Sequence, residues 1–365
     1  MAKKSNYNPE IDLLKFLFSL IIVVYHGKYI SALGDNAPFP YGFTAVEFFF
    51  MVSGFFMAKS SKKYDNSQIG KSTFDFILKK VKPLYLPFCI AFVGAFAIRE
   101  IGFFLNDGYT LVKMFKDIVA SAGEWLFLMK TGVTFGRSFN GPTWYIGAML
   151  LAMAILLPIL LKYRDWFLNI GSLVLAVMLY GYAYTVKNTL NYLEWSGFTT
   201  MAVIRAIAGI ALGCFICSLT ERLQAREFEL KKLGKVLLAV VELGLFALVL
   251  TIMSVTGKNH FDFVCVIYMF FLTFIAFSGL TGIKDILPKK LCSVLGDFSF
   301  YLYLCHRAIT RLFPILNLEL SYFETLALYL AITVLAAFVC KLLTLLCRNI
   351  RSKISPAMKN MLIKQ

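Results

Sequence analysis

Two ionisable residues, Lys15 and His26, lie eleven residues apart in the first apolar segment, 11–32. In an α-helix this spacing is about three turns, so both side chains project within about 20° of each other, roughly 16 Å apart along the axis. Ionisable residues in a bilayer are costly and by default indicate a functional site. His26 can titrate near neutral pH and serve as a general base. Lys15 could equally be a snorkelling lysine near a helix end.

The composition is that of a membrane protein. Hydrophobic residues make up 59% of the 365 residues and the mean hydropathy is +0.72, whereas soluble domains contain about 45–50% apolar residues. Runs of roughly 20 apolar residues predict about ten transmembrane helices. These are 11–32, 41–59, 83–105, 142–161, 166–186, 199–219, 235–256, 261–282, 297–315 and 322–346. We therefore predict a single all-α integral membrane domain over residues 1–365.

The 37 Lys and Arg residues predict the orientation of these helices. With the N-terminus inside, the cytoplasmic pieces hold 24 of them, the external pieces seven and the spans six. Because cytoplasmic loops carry the excess of basic residues, we expect both termini in the cytoplasm and a multi-pass protein of the cytoplasmic (inner) membrane. This topology, with membrane lipids as partners, accounts for the net charge of +16. No nucleic-acid partner is needed to explain it.

Cysteine and metal chemistry are not indicated. The eight cysteines lie in predicted spans or at cytoplasmic positions, so we expect no disulfide framework. Cys214 and Cys217 form a C-x-x-C within an apolar helix, where buried packing is expected, and no zinc-ligand spacing occurs. The long gap 106–141 contains the short apolar stretch Trp125–Met129, which suggests a re-entrant or interfacial segment. The chemistry must therefore come from residues embedded in helices.

Several motifs follow one another along the chain. Ile11–Lys15 with the later His26 opens the first span, and the acidic-aromatic stretch Val46–Phe56 contains Ser-Gly-Phe. A basic run precedes proline in Lys79–Pro87, and Gly296–His306 lies in the ninth span. Further matching positions are Pro142–Ile146 and Arg205 with Gly209 and Gly213. Together these motifs resemble acyltransferase family 3, the multispanning membrane O-acyltransferases that modify bacterial surface glycans.

The resemblance implies acyl-CoA as a cytoplasmic donor substrate, with no permanently bound cofactor. An anionic donor needs basic residues at the inner face, and the predicted donor-binding residues are Asp12, Lys15, Lys79, Lys80 and Lys82. Asp12 precedes Lys15 by about one turn and can pair with it. The lysine run could equally serve topology and lipid contact. Lysines stand where the family has arginines, and lysine binds phosphate as a point charge without the arginine fork.

Acyl transfer requires a base for the attacking hydroxyl and groups that stabilise the developing oxyanion. We assign His26 as the base, with Glu47 orienting its ring, although a structural hydrogen bond would also explain Glu47. The predicted substrate-binding residues are Ser53, Trp144, Tyr145, Arg205, His306 and Arg307. Close packing is the alternative for Ser53-Gly54, and polar contacts that hold helices together are the alternative for the His306–Arg307 pair. An interfacial aromatic belt is the alternative for Trp144-Tyr145.

These interpretations favour an O-acyltransferase. It would move an acyl group, with acetyl favoured, from acyl-CoA to a hydroxyl of a cell-envelope glycan or lipid-linked sugar. The alternative is a transporter of an envelope polysaccharide or acylated intermediate, with Lys15 and His26 as a proton or anion relay. Transporter folds usually contain internal repeats, and inspection of the sequence finds none.

Overall fold

The described residues fold into a bundle of helices and one short β-hairpin, in which each strand has two residues. The computed structural model describes residues 7–107, 110–133, 138–255 and 261–362. Its helices are α1 Pro9–His26, α2 Ala45–Ser61, α3 Ile69–Asp107, α4 Leu111–Ala120, α5 Ala122–Trp125, α6 Trp144–Lys162, α7 Arg164–Trp166, α8 Ser172–Lys187, α9 Met201–Ala225, α10 Lys232–Ser254, α11 Phe261–Ser278, α12 Ile283–Ile286, α13 Lys289–Thr310, α14 Leu312–Leu316 and α15 Tyr322–Leu362. Short helical turns cover Gly27–Tyr29, Gly34–Asn36, Gly42–Thr44, Gly141–Thr143 and Phe167–Gly171, and strands β1 Trp195–Ser196 and β2 Thr199–Thr200 pair antiparallel.

This is an all-α membrane protein. Eight helices of the described residues are long and apolar enough to cross a membrane, compared with the ten spans that we predicted. The other two predicted spans correspond to α1 and α13, which carry charged residues within their length. In α1, Glu10 and Ser19 are buried against neighbouring helices. In α13, Lys289, Lys290 and Asp297 are exposed, and these charges lower the hydropathy of the helix.

Helix α1 ends earlier than the predicted segment 11–32. It begins at Asn8, whose side chain accepts hydrogen bonds from two backbone amides of the first turn, and Pro9 follows at a position where no amide donor is needed. It ends at His26, and the chain turns through Gly27–Tyr29 and Gly34, whose φ of +45° favours glycine. His26 thus lies at a helix end next to a loop, rather than within a longer span.

Helix α13 packs beside α1 over most of its length. Gly296 allows the close approach, because a Cβ at this position would overlap the Asp12 side chain. Farther along, Ser19 donates a hydrogen bond of 2.8 Å to the carbonyl oxygen of Ser299. The helix begins eight residues before the predicted segment 297–315, so His306 lies near its C-terminal end. The two helices therefore run in the same direction and bring His26 and His306 to the same end.

Small residues set the packing of α2 against α9. A Cβ at Gly54 would overlap the carbonyl oxygen of Ile210, and one at Gly213 would overlap that of Met51. Close packing at Ser53-Gly54, which was one of our two interpretations, is confirmed for the glycine. Cys214 contributes to the same contact, with its thiol 3.5 Å from the carbonyl oxygen of Gly54. All eight cysteines are free thiols.

The region before residue 142 and the lysine run also differ from expectation. Helix α3 begins at Ile69, so Lys79–Lys82 lies within a helix rather than in a loop before it. Lysine has a good helix propensity. Pro83 and Pro87 each remove an amide donor and crowd the carbonyl four residues before, yet α3 continues past both. Within the gap 106–141, Glu124 of α5 is fully buried and accepts hydrogen bonds from the amides of Phe139 and Asn140. The part around α5 therefore packs into the bundle, whereas α4 leaves apolar side chains such as Leu111 and Phe115 exposed.

Candidate active site

Two imidazoles face each other where α1 and α13 end. The ring centres of His26 and His306 are 4.7 Å apart, with the planes tilted by 60°. Each ring is held by its own helix. Nδ1 of His26 lies 2.8 Å from the carbonyl oxygen of Ile22, and Nδ1 of His306 lies 2.7 Å from that of Tyr303. The sequence indicated both histidines, and the structure brings them together.

These hydrogen bonds fix the tautomer of each neutral ring. Because a carbonyl oxygen only accepts, Nδ1 must carry the proton in both rings, which leaves a lone pair on each Nε2. His26 is half-buried, whereas His306 is 0% exposed. Within the described residues, Nε2 of His306 has no hydrogen-bond partner. An unpaired buried acceptor costs free energy unless a donor reaches it during function.

At the other end of α1, Lys15 pairs with Asp12 as expected, with 2.9 Å between Nζ and Oδ1. Lys15 also lines a cavity of about 340 Å³ among α1, α2, α3, α6 and α13. The lining passes Phe49 and Met149 and reaches Ile22 and Tyr303. Ile22 is one helical turn before His26. The cavity is therefore an apolar passage that leads from a lysine towards the two imidazoles.

On its opposite side, Lys15 lines a second cavity of about 350 Å³ with a polar wall. Lys59 at the end of α2 and Lys284 of α12 add two further ammonium groups, and Phe277 adds an aromatic face. Sequence reasoning missed both lysines because they looked like ordinary basic residues at span ends. They can be identified only in the folded structure, because α1, α2 and α12 must pack together before the three lysines become neighbours.

The structure separates the three lysines of the predicted donor-binding run. Lys80 is half-buried, lies within electrostatic range of Lys15, and shares a helix face with Leu84 of the cavity wall. Lys79 and Lys82 are exposed and point away from the cavity. Only Lys80 therefore belongs to the site built around Lys15.

Glu47 and Arg205 form a buried ion pair, with 2.7 Å between Nε and Oε1. Glu47 is 0% exposed and also accepts a hydrogen bond of 2.5 Å from the Tyr180 hydroxyl. Arg205 is 1% exposed and donates to the carbonyl oxygens of Leu190 and Phe43. Glu47 thus contacts Arg205 and Tyr180 rather than His26, whose ring is oriented by Ile22. This arrangement argues against Glu47 as the orienting group.

The remaining predicted substrate residues fall into three places. Ser53 and Tyr145 line the passage above Lys15, with 3.2 Å between their hydroxyl oxygens. Trp144 packs against the Arg205 guanidinium, 5.3 Å from the ring centre, and so belongs to the buried ion pair. Arg307 lies beside the imidazoles, with its guanidinium carbon 3.8 Å from the Tyr29 ring centre. Ser53 and Tyr145 therefore line the passage, and their predicted contact with substrate stays a prediction.

Comparison with protein families decides the identity of this bundle. The sequence model described as "Acyltransferase domain" matches residues 8–345, which is nearly the whole chain. The chain belongs to acyltransferase family 3. No curated protein matches it, and no solved structure does.

As a member of acyltransferase family 3, the chain is a multi-pass membrane acyltransferase. The match includes both imidazoles, the Lys15 passage and the Glu47–Arg205 pair. Within the described residues, no cluster of three or more His, Cys, Asp or Glu side chains could hold a metal ion.

Proposed function

We propose that this protein transfers an acyl group, with acetyl favoured, from cytoplasmic acyl-CoA to a hydroxyl of a cell-envelope glycan or lipid-linked sugar. The observation that carries the proposal is the continuous arrangement along α1. A polar cavity is lined by three lysines, one of which is Lys15. Lys15 also lines the apolar passage, which ends one turn before His26. We place the enzyme in the cytoplasmic (inner) membrane.

The two cavities match the two halves of an acyl-CoA. The nucleotide end carries phosphates, for which Lys15, Lys59 and Lys284 provide positive charge. The pantetheine arm is a narrow chain that suits the apolar passage between Lys15 and Tyr303. His26 lies about 16 Å along the helix axis from Lys15, so an extended arm would present its thioester near the imidazoles.

In the proposed reaction, Nε2 of His26 removes the proton of the acceptor hydroxyl as its oxygen attacks the thioester carbonyl. The carbon–oxygen ester bond forms and the carbon–sulfur bond breaks. The CoA thiolate leaves with the electron pair and takes up the proton from His26. Acyl ester and free CoA are then the products, and His26 returns to its starting tautomer.

His306 supports this step. When His26 is protonated on both nitrogens it becomes a cation in a poorly hydrated place, which is costly without a partner. Nε2 of His306 carries a buried lone pair, and its ring centre is 4.7 Å away. We assign His306 as the acceptor of the hydrogen bond from protonated His26. Its own Nδ1 remains fixed on Tyr303.

The test is hydrolysis of labelled acetyl-CoA by the purified protein in detergent, with water replacing the sugar hydroxyl. We expect His26→Ala to lower the rate by roughly 10²–10⁴-fold, the contribution of a general base. Lys116→Gln, an exposed change in α4, is the control and should hydrolyse at the wild-type rate. Folded His26→Ala that keeps most of its activity would remove His26 from the mechanism. Propionyl- and palmitoyl-CoA in the same assay test the acyl chain.

A further inference from the structure

Four cationic side chains gather at the end of the bundle that holds the imidazoles. Lys28 and Arg307 lie against the same ring, 5.4 and 3.8 Å from the Tyr29 ring centre. Arg311 donates to the Phe139 carbonyl oxygen, and the Arg99 guanidinium lies 4.4 Å from the Phe139 ring centre. The group comes from three separate elements, namely the turn after α1, the α13 helix with its C-terminal residue, and α3. Mutual repulsion of four cations is unfavourable unless negative charge is nearby.

The carboxylates that reach this cluster do not neutralise it. Asp35 interacts with Lys28 and is exposed. Glu124 interacts with Arg311, but its oxygens already accept hydrogen bonds from the amides of Phe139 and Asn140, at 2.7 and 2.8 Å. The Thr143 hydroxyl is a third donor to Glu124. A net positive charge therefore remains beside the imidazoles.

The two central arginines are held by neutral groups. Arg307 is half-buried, stacks on Tyr29 and donates to the Thr310 hydroxyl. Arg311 is half-buried and donates to the Phe139 carbonyl oxygen at 2.6 Å. In the part of the chain that the structure describes, neither forms an ion pair with a carboxylate. A half-buried guanidinium without a counter-charge is costly, and its fork suits phosphate or carboxylate oxygens.

The Arg307 side chain is also tied to the proposed reaction centre. Tyr29 contacts it on one side and stacks with the His26 ring on the other, with 5.9 Å between ring centres. An anion bound at Arg307 would therefore sit next to His26.

We propose that Lys28, Arg307 and Arg311 bind an anionic group of the acceptor, a phosphate or a carboxylate, and so hold the acylated hydroxyl at His26. This inference rests on the proposed function and narrows the acceptor to anionic sugars or sugars linked through phosphate. Neutral sugars lack the group that the arginine forks recognise. Binding is expected to weaken as salt concentration rises.

Thermal unfolding of the purified full chain in neutral detergent tests this proposal. Saturating acetyl-CoA is present throughout, so that phosphate binding at Lys15 is already satisfied. The probes are glucose, glucose 1-phosphate and glucuronic acid. We expect the two anionic sugars to raise the midpoint of unfolding in a saturable, salt-sensitive way and glucose to have no effect. Equal responses to glucose and glucose 1-phosphate would overturn the proposal, and this comparison needs only the wild-type protein.

Variants locate the binding site. Combined Arg307→Gln and Arg311→Gln should raise the apparent Kd for glucose 1-phosphate about tenfold or more, because charged hydrogen bonds are lost. Lys116→Gln should bind like wild type. Unchanged binding in the folded double variant would overturn the assignment. Should the double variant not fold, Arg307→Lys, which keeps the charge and loses the fork, must still bind more weakly than wild type for the assignment to stand.

A lipid headgroup is the other source of a phosphate. The same titration in nanodiscs of phosphatidylcholine, with and without phosphatidylglycerol, separates the two sources. Glucose 1-phosphate should bind equally in both. Loss of that binding with phosphatidylglycerol present would assign the cluster to lipid and overturn the acceptor proposal. His26-dependent hydrolysis of acetyl-CoA would survive that result, so failure of this inference is distinguishable from failure of the proposed function.

Discussion

Substitution of Glu47 distinguishes a catalytic carboxylate from a structural one. Arg205 donates to one carboxylate oxygen of Glu47 and Tyr180 to the other. In Glu47→Gln the amide oxygen can replace only one of these acceptors, and the negative charge is lost while Arg205 stays 1% exposed. Removing one partner of a buried ion pair costs about 3–5 kcal/mol, because the other charge is left uncompensated. Two further hydrogen bonds hold Arg205 to backbone carbonyls, so it cannot turn to water without losing them. We therefore expect a loss of stability of about 3 kcal/mol.

The assay is a double-mutant cycle. Thermal unfolding is measured for wild type, Glu47→Gln, Arg205→Met and the double variant in the same detergent. The two single variants should unfold at clearly lower temperatures, and the double variant should be more stable than the sum of the single losses predicts, since no charge is left unpaired. Acetyl-CoA hydrolysis per folded molecule should stay within about tenfold of wild type, because no group at His26 changes.

One result would refute the reasoning. If Glu47→Gln unfolds at the wild-type temperature and its kcat falls by two orders of magnitude or more, Glu47 acts on the reaction and not on the fold. Additive stability losses in the cycle would separately show that the Glu47–Arg205 contact contributes no coupling.

The remaining predictions concern single positions. His26→Gln should lose hydrolysis as fully as His26→Ala while unfolding at the wild-type temperature, because the amide fills the space but cannot accept the proton; a rate clearly above that of His26→Ala would contradict this. Lys15→Ala should raise the KM for acetyl-CoA and Lys15→Arg should restore it, since charge and position matter more than fork geometry at a phosphate; an unchanged KM in Lys15→Ala would make this a snorkelling lysine. Lys80→Gln should raise the donor KM several-fold and Lys82→Gln should not, since only Lys80 lies near the passage; equal effects of the two would show that the run acts through topology. Gly213→Ala should lower the yield and unfolding temperature of the protein, because the new methyl overlaps a backbone carbonyl that cannot move aside; wild-type stability would show that α2 and α9 can move apart to make room for the methyl group.

The sequence by itself determined the features that depend on local spacing and composition. Apolar runs establish a helical membrane protein, because lipid requires every backbone amide to be satisfied within its own segment. The Asp12–Lys15 pair follows from neighbouring positions on one helix face. His26 was identifiable because an ionisable residue in an apolar segment is costly and so conspicuous.

Contacts between helices could be decided only by the tertiary structure. Glu47 looked like the partner of His26 because both lie at similar depths in neighbouring spans. It instead meets Arg205, 158 residues away, because glycines bring α2 close to α9. His306 reaches His26 because α1 and α13 lie side by side, a pairing that no periodicity reveals. Lys59 and Lys284 look like topology signals in the sequence, and only the packed bundle makes them neighbours of Lys15. Spacing along a helix fixes which residues share a face, but which faces meet depends on side-chain packing across the whole bundle.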